Sequence, residues 1–308
     1  MELKDIKALI EQYQSIIICR HIHADFDAFG SQCGLKQLII DNYPDKKVYL
    51  YGTEECSAKI FDRMDRISNE ILENSLAIIL DTSTVERIDD KGILNAKYVI
   101  KMDHHLKSEK FANDEYVDES SCSASAIVVQ LALDSNWLIS KEAASFLYCG
   151  ISSDTLKLTI DKVNGEVFRL VAVLADKGID IPLLNRYVYD IPITTFKSQN
   201  YFLSRAQFVN DVGYFYITNS DINKLGIMEK DTRDFIDALG HIKGVDKYVV
   251  FTQKDNELYS VSLRSHLVPI VHIAQKYGGG GHALACGIPE VSYDVTKKII
   301  NELINTKE

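Results

Sequence analysis

His21-Ile22-His23-Ala24-Asp25-Phe26-Asp27-Ala28-Phe29-Gly30-Ser31 follows the apolar run Ser15-Ile16-Ile17-Ile18-Cys19. It leads into residues 28–40, where Phe29, Cys33, Leu35 and Leu38 recur at helical spacing. A short continuous apolar run of this kind reads as a buried strand. A strand therefore enters a tight polar turn, and a helix with an apolar face leaves it. Asp25 and Asp27, one residue apart, repel each other unless a cation lies between them, and a divalent metal is the simplest such cation. Alone, the same residues are equally a polar turn with a helix cap. The rest of the chain has to decide.

The chain has 308 residues, which implies two domains, since a single core stops growing near ~250–300 residues. Hydrophobic residues make up 46% and charged residues 25%, an ordinary soluble composition. No run approaches the ~18 apolar residues of a membrane span. The opening residues mix both charge signs and place Leu3, Ile6, Leu9 and Ile10 at helical spacing, so they read as a surface helix and not a signal peptide. A cytoplasmic location is the resulting expectation. The six cysteines form no CxxC pair and read as small buried hydrophobes in a reducing compartment. A net charge of −10 opposes binding of long duplex DNA, which needs a broad basic surface, but leaves room for a small anion in a local basic pocket.

Up to about residue 190, apolar runs alternate with helix-like segments. Strands are expected at 16–20, 47–51, 76–80 and 98–102, and helices at 28–40, 123–133, 141–148 and 164–177. Strand–helix alternation with continuously apolar strands predicts an α/β domain built on a mostly parallel sheet covered on both faces. Three strands end in potential metal ligands. The first runs into His21, Asp25 and Asp27, the third into Asp81, and the fourth into Asp103-His104-His105. In an open α/β sheet the carboxyl ends of the strands lie along one rim, where ligands bind. Asp154, in Gly150-Ile151-Ser152-Ser153-Asp154-Thr155, follows an expected helix and completes the set. One such acid is most simply a cap or turn residue; four pieces converging on one rim make that reading poor. Imidazole and carboxylate without thiolate suit Mn²⁺, Fe²⁺, Co²⁺ or Zn²⁺ better than Ca²⁺. His21, Asp25, Asp27, Asp81, His104, His105 and Asp154 are seven side chains, too many for one ion, and suit two, about 3.5–4 Å apart with a shared carboxylate.

These four ordered motifs resemble those of the DHH phosphoesterases, whose name is the third motif. The resemblance implies that His21, Asp25 and Asp81 hold one Mn²⁺ and Asp27, Asp81, His104 and Asp154 a second, with Asp81 as the bridge. It places His105 beside the catalytic centre and gives Asp103 a positioning role. The chain departs from the family pattern at His23-Ala24, where Asn-Pro is usual, and at Leu156, where Gly is usual. Leu156 adds bulk near the expected metals, and His23 reads as a solvent-facing residue.

Pro182 and Pro192 mark a boundary. The expected domains are 1–190, a helical linker at 191–208 with a helix over 194–208, and a smaller α+β domain at 209–308. In the last, strands are expected at 214–218, 247–252 and 258–264, and helices at 232–239, 269–277 and 291–303. Ser260, Ser262 and Arg264 alternate with Val261 and Leu263, so the polar set shares one strand face. Arg264 is suited to a forked contact with a phosphate, and Gly278 to Gly281 leave amides free to converge on an anion. Arg264 and Ser265, with Gly279, Gly280, Gly281 and His282, resemble the substrate-binding domain attached to many DHH phosphoesterases.

The resemblance implies a hydrolase of very short nucleotides, acting by in-line attack of a hydroxide bridging two Mn²⁺ ions. Its subgroup covers oligoribonuclease and 3′-phosphoadenosine 5′-phosphate (PAP) phosphatases and di-AMP phosphodiesterases. Expected substrates are therefore di-adenylate, cyclic di-AMP, PAP and nanoRNA. The second domain would hold a terminal phosphate; no membrane partner is expected, and a homodimer is compatible with this reading. An inorganic pyrophosphatase or polyphosphatase is the alternative within enzymes, against which the glycine run argues. A nucleotide-binding regulator without catalysis is the alternative outside them, against which the full ligand set argues.

Overall fold

The computed structural model describes residues 1–307 except 54, 55, 57, 108, 228–231, 233 and 234. The chain divides into two compact units, Met1–Asp190 and Ile191–Glu308. In the first, five strands, β1 (Ser15–Cys19), β2 (Lys47–Leu50), β3 (Leu76–Leu80), β4 (Tyr98–Asp103) and β5 (Asp114–Val117), form a sheet of order β2-β1-β3-β4-β5. Every neighbouring pair is parallel. Among the described residues seven α-helices accompany it: α1 (Leu3–Gln12), α2 (Phe26–Asn42), α3 (Asn69–Glu73), α4 (Ala124–Asp134), α5 (Lys141–Asp154), α6 (Gly165–Ala175) and α7 (Ile181–Tyr189). The strands are apolar throughout because both faces are covered. Ile16, Ile18, Ile78 and Ile100 pack with residues of α1, α2, α4 and α5, while Ile17, Cys19, Ala77 and Ile79 pack with Leu72, Ile88 and Ile93. This strand order reverses direction between β1 and β3, so the crevice at their carboxyl ends is the position for a ligand.

Two helices close on that crevice through glycine contacts. In α2, a Cβ at Gly30 would lie 2.6 Å from the Phe146 carbonyl oxygen, and one at Gly34 would lie 2.5 Å from the Leu147 side chain. Spaced by four residues, both glycines lie on one face and let α5 approach closely. Gly150, expected to follow a helix ending at 148, instead lies inside α5. Its missing Cβ leaves the room that Ser125 Oγ and Asp27 Oδ1 take up. The helix continues to Asp154 and carries that acid in its last turn. Pro182 likewise does not interrupt structure: it occupies the first turn of α7, where a missing N–H costs nothing, and Asp180 caps that helix by accepting from the Leu183 N–H.

The second unit holds α8 (Ile193–Leu203), β6 (Gln207–Val209), β7 (Val212–Ile217), α9 (Asn219–Leu225), α10 (Asp237–Gly240) and β8 (Lys247–Gln253). These are followed by β9 (Tyr259–Ser265), α11 (Val271–Lys276), β10 (Gly280–Gly281), β11 (Ala285–Val291) and α12 (Tyr293–Asn305). Its sheet runs β10-β11-β9-β8-β7-β6, with only β7 and β8 parallel among these pairs. The helix expected over 194–208 stops at Leu203, and 207–209 pair with β7 instead. Phe202 of α8 stacks on Phe215 and packs at a tilt against Phe235, within the core of this unit. The expected helix 232–239 falls partly outside the described residues; α10 covers its end. Among the described residues no helix is long and apolar enough to cross a membrane.

Candidate metal centre

β1, β3 and β4 deliver His21, Asp81 and Asp103-His104-His105 to neighbouring points of one rim. Asp81 is buried and sits at φ 52°, a left-handed conformation that Asp tolerates better than most residues. Its two oxygens face different histidines: Oδ2 lies 3.3 Å from His21 Nε2, and Oδ1 lies 3.2 Å from His104 Nε2. Three groups have ligand atoms within 4.8 Å of one another: His21, Asp25 and Asp81; Asp27, His104 and Asp154; and Asp81, His104 and His105.

Each side chain is held by its own element. Asp25 caps α2, its Oδ1 accepting from the Asp27 and Ala28 N–H groups at 3.0 Å each, which leaves Oδ2 toward His21. Asp27 is fully buried against the start of α4, accepting from Ala124 N–H at 2.7 Å and Ser125 N–H at 2.9 Å. Asp154 Oδ2 lies 3.3 Å from His104 Nε2. Asp103 Oδ1 accepts from the backbone of His104 and from Nδ1 of His105 at 2.8 Å, shaping the turn that carries both rings. Buried Lys101 packs behind it, 3.8 Å from Asp103 Oδ2 and 3.3 Å from the Ser83 carbonyl oxygen. His23 is exposed at φ 57° and belongs to none of the three groups.

Four carboxylates this close cannot all be ionised without a compensating cation. Burial, with Asp81 and Asp25 nearby, pushes Asp27 up to about 7. Burial and the charges of Asp27, Asp81 and Asp25 push Asp154 up to about 10. Burial opposes charge on Asp81 too, but His104 and His21 outweigh it and hold that carboxyl below its ordinary range. The same carboxylates raise both histidines against the lowering effect of burial. Asp81 Oδ1 is also buried without a hydrogen-bond partner among the described residues. A buried, unpartnered carboxylate oxygen ringed by imidazole nitrogens is what a divalent-ion site requires, so the donor set fits a metal.

Beyond Asp154 the chain makes a left-handed turn. Lys157 N–H donates to the Ser152 carbonyl and Leu156 N–H to that of Ser153, both at 3.0 Å, the paired closure of a Schellman motif. Leu156 takes the position that favours glycine, at φ 46°, and Lys157 and Leu158 follow at φ 63° and 66°. Tyr189 of α7 fastens the turn, its hydroxyl accepting from Lys157 N–H at 3.0 Å and donating to the Ser152 carbonyl. The Leu156 side chain is 60% exposed, so its bulk is directed outward.

In the second unit, Ser260, Ser262 and Arg264 share the less buried face of β9. Arg264 pairs in register with Tyr248 and Ala285, and its Nη1 donates to the Leu263 carbonyl. Asp237 lies close enough to feel its charge: burial raises that carboxyl while Arg264 and His241 pull it down. Asp237 carries no sequence signal beyond a charged residue near an expected helix end. Ser265 is buried and accepts from Val268 N–H. The glycine run differs from the open cradle expected. Gly278 and Gly279 N–H groups donate to the Gln275 and Ala274 carbonyls, and Gly280–Gly281 pair with β11. A Cβ at Gly279 would lie 2.1 Å from the Gly287 carbonyl oxygen, so glycine is needed there for close strand approach. The run ends at exposed His282, whose N–H closes a tight turn onto Ala285, the strand partner of Arg264.

Residues 15–151 match the DHH family, N-terminal domain, and residues 211–306 match the DHHA1 domain. The chain is 33% identical over 303 residues to a Streptococcus mutans protein named probable bifunctional oligoribonuclease and PAP phosphatase NrnA, covering 98% of each. It is 29% identical over 298 residues to the Bacillus subtilis bifunctional oligoribonuclease and PAP phosphatase NrnA, covering 96% of this chain and 95% of that one. In fold it is similar to the crystal structure of an exopolyphosphatase-related protein from Bacteroides fragilis, with a TM-score of 0.84 at 24% identity over 97% of this chain and 94% of the other.

Proposed function

The chain belongs to the DHH family, with a DHHA1 domain following its N-terminal domain, and on that premise we propose that it hydrolyses phosphate esters of very short nucleotides with two divalent ions, Mn²⁺ foremost. The substrates are di-adenylate, nanoRNA and PAP, in keeping with the names of the relatives above; cyclic di-AMP is the nearest further candidate. The observation that carries this reading is the disposition of Asp81, one oxygen toward His21 and the other toward His104. A carboxylate presented in that way can serve two ions at once.

His21, Asp25 and Asp81 would hold one ion, and Asp27, Asp81, His104 and Asp154 the other. Such ions, when bound, neutralise charge on a phosphate and lower the pKa of an attacking water. The chain's own residues do the rest. The α4 amides orient Asp27, and Asp103 fixes the ring of His105 by accepting from its Nδ1, leaving Nε2 for a phosphate oxygen or the leaving group. Arg264 and His282 bind the nucleotide's terminal phosphate, with Ser265 fixing the strand end beside them.

The test is a substrate panel with purified protein and Mn²⁺: di-adenylate, cyclic di-AMP, PAP, pyrophosphate and longer RNA. Release of AMP from di-adenylate, abolished by chelation and lowered by several powers of ten in Asp81→Asn, is the expected result. Preferential hydrolysis of pyrophosphate, or Asp81→Asn within tenfold of wild type at full metal content, refutes the reading.

A further inference from the structure

After Asp81 the chain passes through a 3₁₀ turn, Val85–Arg87, and returns to the beginning of the site. Ile88 forms an antiparallel bridge with His21, and Ile22 N–H donates to the Arg87 carbonyl at 2.7 Å. The backbone of Arg87 is thereby fixed against the residues that leave β1. Its guanidinium Nη2 lies 3.1 Å from Nδ1 of His21, on the edge of the imidazole away from the Nε2 that faces Asp81.

Arg87 is exposed, and among the described residues it makes no salt bridge. The contrast within the same unit is Arg20, which is buried and paired with Asp89 at 2.6 Å. Nδ1 of His21 also faces the Ile22 carbonyl oxygen at 2.9 Å. One ring nitrogen cannot donate to that carbonyl and accept from Arg87 in the same tautomer. If Nε2 serves as a metal ligand, Nδ1 carries the proton and bonds Ile22, so the guanidinium is left without an acceptor beside the metal site. A planar cation with free donors at that place matches the oxygens of a phosphate.

We propose that Arg87 is a phosphate-binding residue of the first unit, contacting the phosphate group that is to be cleaved. This rests on the nucleotide-hydrolase reading above and adds a specific cation to it. His105 offers an imidazole nitrogen to a phosphate oxygen, but none of the motif acids and histidines of the first unit is a permanent, forked cation, and Arg264 lies in the second unit.

The test uses full-length protein loaded with Mn²⁺, with AMP and inorganic phosphate as probes, measured by calorimetry beside metal affinity and hydrolysis of di-adenylate. Arg87→Gln is expected to weaken binding of both probes roughly 10- to 150-fold, as for a lost hydrogen bond to a charged group. Arg87→Lys should recover only part, while Mn²⁺ affinity stays within about twofold and the melting temperature is unchanged. Unchanged binding of AMP and phosphate in Arg87→Gln overturns the proposal. So does a matching fall in Mn²⁺ affinity, which would make Arg87 a positioning residue for His21. If the wild type binds phosphate through Arg87 but hydrolyses no nucleotide, the proposed function fails and the Arg87 assignment stands.

Discussion

Leu156→Gly should make the first unit more stable. Leu156 occupies the left-handed position of the turn that closes α5, at φ 46°. A side chain in that conformation brings Cβ against the following carbonyl at a cost of roughly 1–2 kcal/mol. Glycine removes the clash but gains freedom in the unfolded chain, which returns roughly 0.5–1 kcal/mol. Burial changes little, because the side chain is 60% exposed. The net expectation is a gain of about 0.5–1 kcal/mol. At a urea dependence of about 2 kcal/mol per molar, the midpoint should rise by about 0.25–0.5 M with unchanged slope. The chain has one tryptophan, Trp137, packed in the core of the first unit, so its fluorescence follows the unit in question. Leu156→Ala is the control: it keeps Cβ, and therefore the clash, and should leave the midpoint where it is. A glycine variant no more stable than the alanine variant would refute the reasoning and mean that the turn is held in place without strain at this residue.

Gly150→Ala should act in the opposite direction, since the new Cβ would lie 2.0 Å from Ser125 Oγ and 2.6 Å from Asp27 Oδ1. A loss of about 1–3 kcal/mol is expected from overpacking, together with weaker Mn²⁺ binding in a metal titration; unchanged metal affinity would show that Asp27 tolerates displacement. Asp89 is held below its ordinary range because Thr53 and Arg20 outweigh burial. A depressed carboxyl adds stability above its unfolded pKa of about 3.9 and loses it as pH falls through the folded value. Asp89→Asn, which removes the carboxylate paired with buried Arg20, should therefore cost about 1–3 kcal/mol at pH 7, and its deficit against wild type in melts from pH 7 to 3 should narrow only below about pH 4. Arg264→Lys should reduce turnover efficiency on 5′-phosphorylated di-adenylate by roughly 10- to 150-fold, the worth of a hydrogen bond to a charged group, and leave an activated ester without that phosphate nearly unaffected. Equal losses on the two substrates would assign Arg264 to the fold.

The first unit was legible because its sheet is covered on both faces. Ile16 to Cys19 and Leu76 to Leu80 are apolar at every position, and a parallel sheet puts their carboxyl ends on one rim. Residues scattered over more than a hundred positions could therefore be read as neighbours. The edge strand β5, Asp-Glu-Tyr-Val, gave no such signal, since all four of its residues are only half-buried. The conformation of the glycine run is not legible for a different reason. Composition cannot distinguish an open loop from a strand whose partner, Gly287, must come within van der Waals range. Arg87 carries no sequence signal, because its position depends on a bridge between His21 and Ile88, a pairing with no local pattern.

The departures from local preference concentrate around one acid. α5 carries a glycine in its interior at Gly150, which weakens a helix by roughly 1 kcal/mol relative to alanine. It ends on a leucine where glycine belongs, followed by two more left-handed residues. Asp154 lies between these two features, and each has a counterpart in tertiary structure. Gly150 admits Ser125 and Asp27 from neighbouring helices, while Tyr189 ties the turn to α7. A sequence that only had to form a stable helix would have kept neither feature. Their joint effect is to hold an acid in a half-closed place beside Asp27 and Asp81, where burial first, and then the neighbouring carboxylates, push its carboxyl up to about 10. Such an arrangement is unfavourable as a protein interior and favourable as a cation site, so the strain in α5 is itself an argument that the centre was shaped for a metal.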